Sequence, residues 1–227
     1  KGSAWRDPIA KQASTMASAQ QLHGKNMSFL NYYDTDAALA MVREFDQPAV
    51  AFVKHANPCG LASSDSLLEA FQKAYACDPR SAFGVIIALN RPVTKDIIEV
   101  IEAEKMFIEV IAAPSFEQEA LDLLEKKKNI RLIEVGDIRK LDSSDFDLKK
   151  ISGGYLTQEV DTQDIREQDL QMVTVGAVPS PEQIQDLLFA WKAVKHVKSN
   201  AIVLAKNGAT VGIGAGQMSR VDSTEIA

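Results

Sequence analysis

Short, uninterrupted apolar runs separated by stretches with helical periodicity constrain the fold of this chain more than any other feature. Residues 49–53 and 85–89 form the two clearest runs. An apolar run of this length without alternation is typical of a strand that is covered on both faces. The runs therefore predict a central sheet that lies between helices.

The stretches between the runs show the spacing of amphipathic helices. Leu67, Phe71 and Ala74, for example, recur at three- and four-residue steps and share one helical face. Further strands are expected at residues 107–112 and 130–135, so strands and helices alternate along the first half of the chain. This alternation predicts an α/β fold with a largely parallel sheet.

The composition indicates a globular chain and argues against two classes of partner. The 227 residues are 46% hydrophobic and carry a net charge of −6. An acidic balance disfavours nucleic acid and acidic membrane surfaces, and no apolar run is long enough to span a bilayer. With two cysteines and no signal peptide, we expect a reduced, cytoplasmic setting. Because the first residue is Lys1 rather than Met, we also expect a fragment of a longer protein.

A polar motif follows the first apolar run and reads Lys54-His55-Ala56-Asn57-Pro58-Cys59-Gly60. It places an amine beside an imidazole between a strand and a predicted helix, and its proline and glycine require a turn. Such junctions hold ligands in open α/β sheets, so the motif is a candidate site. Spacing alone is equally compatible with a solvated strand end, in which His55 bonds a loop carbonyl.

The whole motif, followed by Ser81-Ala82-Phe83-Gly84, resembles the AICAR formyltransferase part of the bifunctional AICAR formyltransferase/IMP cyclohydrolase family of purine biosynthesis. AICAR is aminoimidazole carboxamide ribotide. Supporting segments are residues 24–31 (GKNMSFLN), 113–116 (APSF), 199–208 (SNAIVLAKNG) and 212–220 (GIGAGQMSR). The resemblance runs from about residue 21 to the last residue, and motifs of this length are specific.

The resemblance implies a three-layer α/β/α fold of the cytidine-deaminase-like type, with two tandem repeats of which the second is truncated. Residues 1–150 would form the first deaminase-like subdomain, which carries the Lys-His motif. Residues 151–227 would form a linker and the start of the second subdomain. The family's cyclohydrolase domain is not expected within this chain.

The fold analogy raises the question of a zinc site. Zinc deaminases combine a His-x-Glu segment with Pro-Cys-x-x-Cys, whereas Ala62 occupies the second cysteine position here and no spaced Glu follows His55. We therefore expect no metal site. An unrelated zinc-dependent, deaminase-like hydrolase is the weakest alternative.

The resemblance implies transfer of a formyl group from 10-formyltetrahydrofolate to the 5-amine of AICAR. The folate would be a co-substrate rather than a tightly bound cofactor, and the relatives act as homodimers. His55 would accept the amine's proton, because an imidazole titrates near neutral pH. Lys54 would stabilise the oxyanion or protonate the leaving folate nitrogen. By resemblance, Asn207 would contact the reacting centre.

Six further residues match positions that bind AICAR or shape its pocket in the family: Asn31, Phe83, Gly84, Glu109, Arg220 and Val221. Arg220 and the backbone of Val221 would hold the nucleotide. Glu109 is Asp in some relatives. Structural alternatives remain open, since Asn31 can cap a helix, Phe83 can fill the core and Glu109 can be a polar strand position.

Two other hypotheses stay open. The chain can be a non-catalytic nucleotide-binding or dimerisation module whose essential partners lie elsewhere. In addition, Gly212, Gly214 and Gly216 alternate on a predicted strand in a pattern that superficially resembles a dinucleotide loop. Since a hairpin precedes them, alternate glycines instead indicate close approach of a ligand or of another backbone.

Overall fold

The computed structural model describes residues 15–138, 140, 145–173 and 175–227. The elements follow in the order β1 (Gln20–His23), α1 (Phe29–Val42), β2 (Ala49–Lys54), β3 (Asn57–Ser63), α2 (Leu67–Cys77), β4 (Val85–Leu89), α3 (Lys95–Ala103), β5 (Ile108–Ala113), α4 (Gln118–Leu124), β6 (Arg131–Glu134), β7 (Phe146–Ile151), β8 (Gly154–Glu159), α5 (Pro181–Lys195), β9 (Ile202–Lys206), β10 (Ala209–Gly214) and α6 (Arg220–Ile226). Among the residues described, no helix combines the length and hydropathy needed to cross a bilayer.

Eight strands form one mixed sheet in the order β1-β6-β5-β4-β2-β3-β10-β9. Strands β4, β5 and β6 are parallel, and every other neighbouring pair in this sheet is antiparallel. The prediction of a largely parallel sheet is therefore correct for these three strands and wrong for the rest. For the pairs β2–β3 and β9–β10 the reason is a two-residue turn, which only antiparallel strands allow; the other antiparallel pairs join strands that are distant in the chain.

Helices cover both faces of this sheet. Along β2, Val50 and Phe52 pack in the cluster that contains α2, α3 and α4, whereas Ala51 and Val53 pack in the cluster that contains α1 and α5. All four side chains are fully buried. The predicted α/β fold, with apolar strands between helices, is confirmed.

The C-terminal hairpin β9–β10 belongs to the same sheet, because Ala209 of β10 pairs with Ala62 of β3. The Thr210 hydroxyl reinforces this contact: it donates to the Leu61 carbonyl (3.2 Å) and accepts the Leu61 N–H (2.9 Å). Residues on both sides of position 150 thus share one sheet. The division into two deaminase-like subdomains at that position stays a prediction.

Strands β7 and β8 form a separate two-stranded sheet. The polar residues between about 136 and 169 predict a connection with some short strands, and β7 and β8 are two such strands. The large apolar side chains on this hairpin are exposed: Phe146, Leu148, Ile151, Tyr155 and Leu156.

Strand β3 and helix α6 were not predicted. Pro58 and Gly60 disfavour a strand locally, yet a Cβ at Gly60 would lie 1.9 Å from the Ala74 carbonyl oxygen of α2. Glycine therefore lets α2 pack directly on β3. In the same way, a Cβ at Gly212 or Gly214 would lie within 2 Å of a backbone oxygen of the C-terminal segment, at Ala227 or Ser223 respectively. The alternate glycines thus admit another backbone.

We predict that Gly60→Ala destabilises the chain by about 3 kcal/mol, because the new methyl group overlaps a backbone oxygen that cannot move independently. Chemical denaturation would measure the change. The matched control is Gly154→Ala, where a Cβ meets no atom within 4 Å; its effect should stay within about 0.5 kcal/mol. Equal effects of the two variants would contradict the packing explanation.

Candidate functional site

The Lys-His motif forms the turn between β2 and β3, which corrects the expected strand-to-helix junction. His55 and Ala56 occupy the two turn positions, with φ angles of 56° and 58°. Hairpin turns with two positive φ angles normally use Asn-Gly, since the left-handed region costs other residues about 1–2 kcal/mol each. The fold thus holds an exposed histidine in a strained backbone conformation.

Neighbouring elements hold this turn from two sides. The His55 N–H donates to Asp34 Oδ2 of α1 (3.2 Å). The His55 carbonyl accepts from Asn57 Nδ2 (3.3 Å) and from Lys198 Nζ (3.4 Å), and the Lys198 N–H donates to Asn57 Oδ1 (3.1 Å). No group in the described parts of the chain hydrogen-bonds the imidazole ring. The ring is therefore accessible to a ligand while its backbone is fixed.

Lys54, the last residue of β2, is half-buried and donates from Nζ to the Phe83 carbonyl (2.8 Å). An ammonium group has three N–H donors, so this bond leaves two for a ligand. The contact also fixes the direction of the side chain. Lys54 therefore links the end of β2 to the Phe83 carbonyl and still presents a cationic group to a ligand.

Phe83 and Gly84 lie beside Lys54 at the start of β4. Phe83 is 66% exposed and its ring centroid lies 5.0 Å from that of Phe107, so the alternative that it only fills the core is wrong. Gly84 has φ of 67° and donates its N–H to the Phe107 carbonyl (2.8 Å). A Cβ at Gly84 would lie 4.0 Å from Glu109 Oε1, an ordinary contact distance, so the positive φ rather than a lack of space favours glycine here.

Asn31 is buried and links the start of α1 to Glu109. Its Oδ1 accepts the Ser28 N–H (3.0 Å), and its Nδ2 donates to Glu109 Oε2 (3.0 Å). Arg131 Nη1 lies 3.8 Å from the same carboxylate oxygen. Ser28 is the N-cap of α1, which begins at Phe29, and Asn31 completes the capping box. Asn31 therefore takes part in helix capping, as the structural alternative held, but it is not the N-cap residue. The same amide also orients the Glu109 carboxylate at the candidate site.

Asn207 lies at the opposite end of the sheet. It occupies the turn between β9 and β10, where an Asn-Gly pair is favoured because both residues tolerate positive φ, and its carbonyl accepts from Lys73 Nζ (3.1 Å). The carbonyl of the next residue, Gly208, accepts the N–H of Ser63, which is the last residue of β3. His55 lies just before Asn57, the first residue of the same strand. The seven residues of β3, at roughly 3.3 Å each, therefore separate Asn207 from His55 by about 20 Å. The structure does not bring Asn207 to the motif.

A different asparagine, Asn200, lies near the His55 turn and was missed. It follows Lys198 by two residues, and its Nδ2 donates to the carbonyls of Gln217 (3.1 Å) and Met218 (2.9 Å). The available signal was its position in the family-like SNA segment, which we had assigned no role. These bonds use the amide hydrogens and leave Oδ1 for a ligand.

The same contacts bring the start of α6 to this edge. The Gly216 N–H donates to the Lys198 carbonyl (2.7 Å), and Arg220 and Val221 follow as the first residues of α6, both exposed. The motif and the start of α6 thus share one edge, which lies at the amino ends of the parallel strands β4 and β5. Open α/β sheets normally bind ligands at the carboxyl ends, so this location differs from the expectation.

A cavity of about 630 Å³ adjoins this edge and shares Ala56 and Lys198 with it. Its walls come from α1, from the β7–β8 hairpin and the segment after it, and from the end of α5. Enclosure raises the pKa of the Asp36 carboxyl, and burial lowers the pKa of the nearby Arg43 guanidinium. The cavity wall carries charged side chains of both signs.

The Cys59 thiol lies in surroundings that favour its protonated form. Burial, together with the nearby Asp78 and Cys77, raises its pKa to about 12, and Sγ donates to the Phe52 carbonyl (3.4 Å). Only a thiolate is strongly nucleophilic or metal-binding. Within the described ranges, no three His, Cys, Asp or Glu side chains come together where a metal ion would bind.

Comparisons with a family model and with curated relatives point to the same protein family. A family model described as the AICARFT/IMPCHase bienzyme matches residues 1–227. The chain is 48% identical over 223 residues to the bifunctional purine biosynthesis protein PurH of Oceanobacillus iheyensis, which covers 98% of the chain and 43% of the relative. It is 49% identical over 227 residues to PurH of a Thermoanaerobacter species, covering 100% of the chain and 43% of the relative. The chain thus spans about two fifths of the length of these curated relatives.

We predict that Glu44, at the cavity wall, stabilises the fold only above acidic pH. Burial alone would raise its pKa, but hydrogen bonds from His196 (2.9 Å) and Lys195 (2.7 Å) outweigh burial and lower it. Because the folded-state pKa lies below the unfolded value of 4.5, this stabilisation is complete above pH 4.5 and is lost as pH falls through the folded pKa.

Glu44→Gln should therefore reduce the free energy of unfolding by about 1 kcal/mol at pH 7, and the difference from the wild type should vanish on acidification. Urea denaturation at a series of pH values would measure both effects. The control is Asp46→Asn, an exposed partner of Lys140, which should change stability little at any pH. A difference that stays constant with pH would contradict the assignment.

Proposed function

The chain belongs to the AICARFT/IMPCHase bienzyme family, and on that premise we propose that it carries the amine-activating part of an AICAR formyltransferase site. The reaction transfers a formyl group from 10-formyltetrahydrofolate to the 5-amine of AICAR. The observation that carries the proposal is the convergence of Lys54, His55, Glu109 and the start of α6 at one sheet edge. The family's printed name supports the reaction, and the exposed imidazole and amine supply its acid–base groups.

In the proposed reaction, the 5-amine of AICAR attacks the formyl carbon and loses a proton to His55. This transfer needs an imidazole without a competing partner, which the turn provides. The tetrahedral oxyanion is stabilised by the Lys54 ammonium group. The bond from carbon to the folate N10 then breaks, N10 takes up the proton that His55 accepted, and formyl-AICAR and tetrahydrofolate leave.

Substrate binding is assigned to the groups that surround the motif. Glu109, oriented by Asn31, faces the space beside Gly84 and would accept hydrogen bonds from AICAR. Arg220 and the backbone of Val221 would hold the nucleotide, since a guanidinium binds phosphate through two N–H groups. Phe83 would shape the wall of this pocket. The folate is proposed as a co-substrate, with no tightly bound cofactor.

We also propose that the chain acts in a cytoplasmic homodimer. Exposed apolar side chains border the candidate site, including Phe29, Leu30 and Met218, and a second subunit would cover such a surface. Both cysteines are free thiols, which suits a reducing compartment. A non-catalytic binding or dimerisation module would share the pocket, so turnover separates that alternative from the enzyme.

We predict that His55→Ala lowers formyl transfer by about 10²–10⁴-fold in the longest natural protein that contains this chain, because the proton acceptor is lost. Affinity for AICAR, measured by calorimetry, should change little. Turnover would be followed as tetrahydrofolate formation. A binding module would bind AICAR without turnover in the wild type as well as in the variant.

We further predict that Asn200→Ala lowers formyl transfer by roughly tenfold, because the variant removes the amide oxygen that would accept a hydrogen bond from the substrate. The matched comparison is Asn207→Ala, which removes the same side chain about 20 Å away within the chain. It should retain activity within a factor of about two. The reverse ranking would restore the role that the resemblance gave to Asn207.

A further inference from the structure

The His55 turn needs support from outside the hairpin. Both of its central residues have positive φ angles, and neither is glycine. A Cβ disfavours this backbone region, so the turn does not form on local preference alone. Residues held in such conformations persist when surrounding contacts over-determine them.

The support for the N–H side of the turn comes from Asp34. Its Oδ2 accepts the His55 N–H at 3.2 Å. In the part of the chain that the structure describes, this N–H is the one hydrogen-bond donor to the Asp34 carboxylate. Among the described residues, the Asp34 carboxylate therefore accepts a hydrogen bond only from the turn.

Helix α1 presents this carboxylate from a fixed position. Asp34 lies in the second turn of α1, between the buried residues Asn31 and Thr35. On the sheet side of the same helix, Ala38 and Leu39 are fully buried against the strands. This packing fixes the backbone of Asp34 relative to β2.

We propose that Asp34 is a positioning residue, which fixes the left-handed backbone of His55 and thereby aims the imidazole at the substrate amine. The inference rests on the proposed formyl transfer. Lys198 and Asn57 hold the carbonyl side of the turn, and Asp34 alone among the described residues holds the N–H side. Asp34 itself does not touch the substrate, so its effect falls on the rate rather than on AICAR binding.

The test compares Asp34→Ala with Asp34→Asn in the longest natural protein that contains this chain. Asp34→Ala should lower kcat by roughly 10–100-fold, with KM for AICAR within about twofold, because a misplaced general base slows the chemical step. Asp34→Asn should retain most activity, since its amide oxygen can accept the same N–H. The control Glu99→Ala, an exposed carboxylate on α3 away from the candidate site, should leave kcat unchanged.

Amide hydrogen exchange at His55 provides a readout that does not depend on turnover. Exchange should be faster in Asp34→Ala than in the wild type and close to the wild-type rate in Asp34→Asn. Normal kcat in Asp34→Ala, or equal loss in both variants, would overturn the inference. If the wild type transfers no formyl group, the proposed function fails. The exchange rates then decide on their own whether Asp34 holds the turn.

Discussion

Strand β2 is buried on both faces, and this burial determines where the motif leaves the sheet. Val50 and Phe52 fill one core, and Ala51 and Val53 fill the other. A register slip of one residue would exchange the two sets, so the pairing of β2 with β3 and β4 is strongly specified. The position of the turn at the end of β2 follows from that register.

The turn is strained, and the packed layers around it supply what its own sequence lacks. Helix α1 provides an acceptor for the His55 N–H, and the segment after α5 provides a donor for its carbonyl. Helices α1 and α5 pack on the same face of the sheet. The packed core fixes the elements that hydrogen-bond His55, and these bonds keep the residue in a backbone conformation that an isolated hairpin would avoid.

Local sequence patterns predicted the strands and turns whose conformation depends on neighbouring residues in the chain. The run 85–89 is a strand because all its side chains are apolar, and the Asn207-Gly208 turn forms because both residues tolerate positive φ. Strand β3 was missed because Pro58 and Gly60 disfavour strands, and only the close approach of α2 explains the glycine. Resemblance identified the motif and its neighbours, but it could not test the position of Asn207.

The sequence by itself determined the α/β class, the family and most of the residues at the candidate edge, because these depend on apolar periodicity and on long motifs. Tertiary structure alone decided the antiparallel neighbours of β2 and the placement of the β9–β10 hairpin beside β3. That placement sends Asn207 to one end of the sheet and Asn200 to the other. Strand order depends on pairing between distant segments, and local patterns carry no information about such pairing.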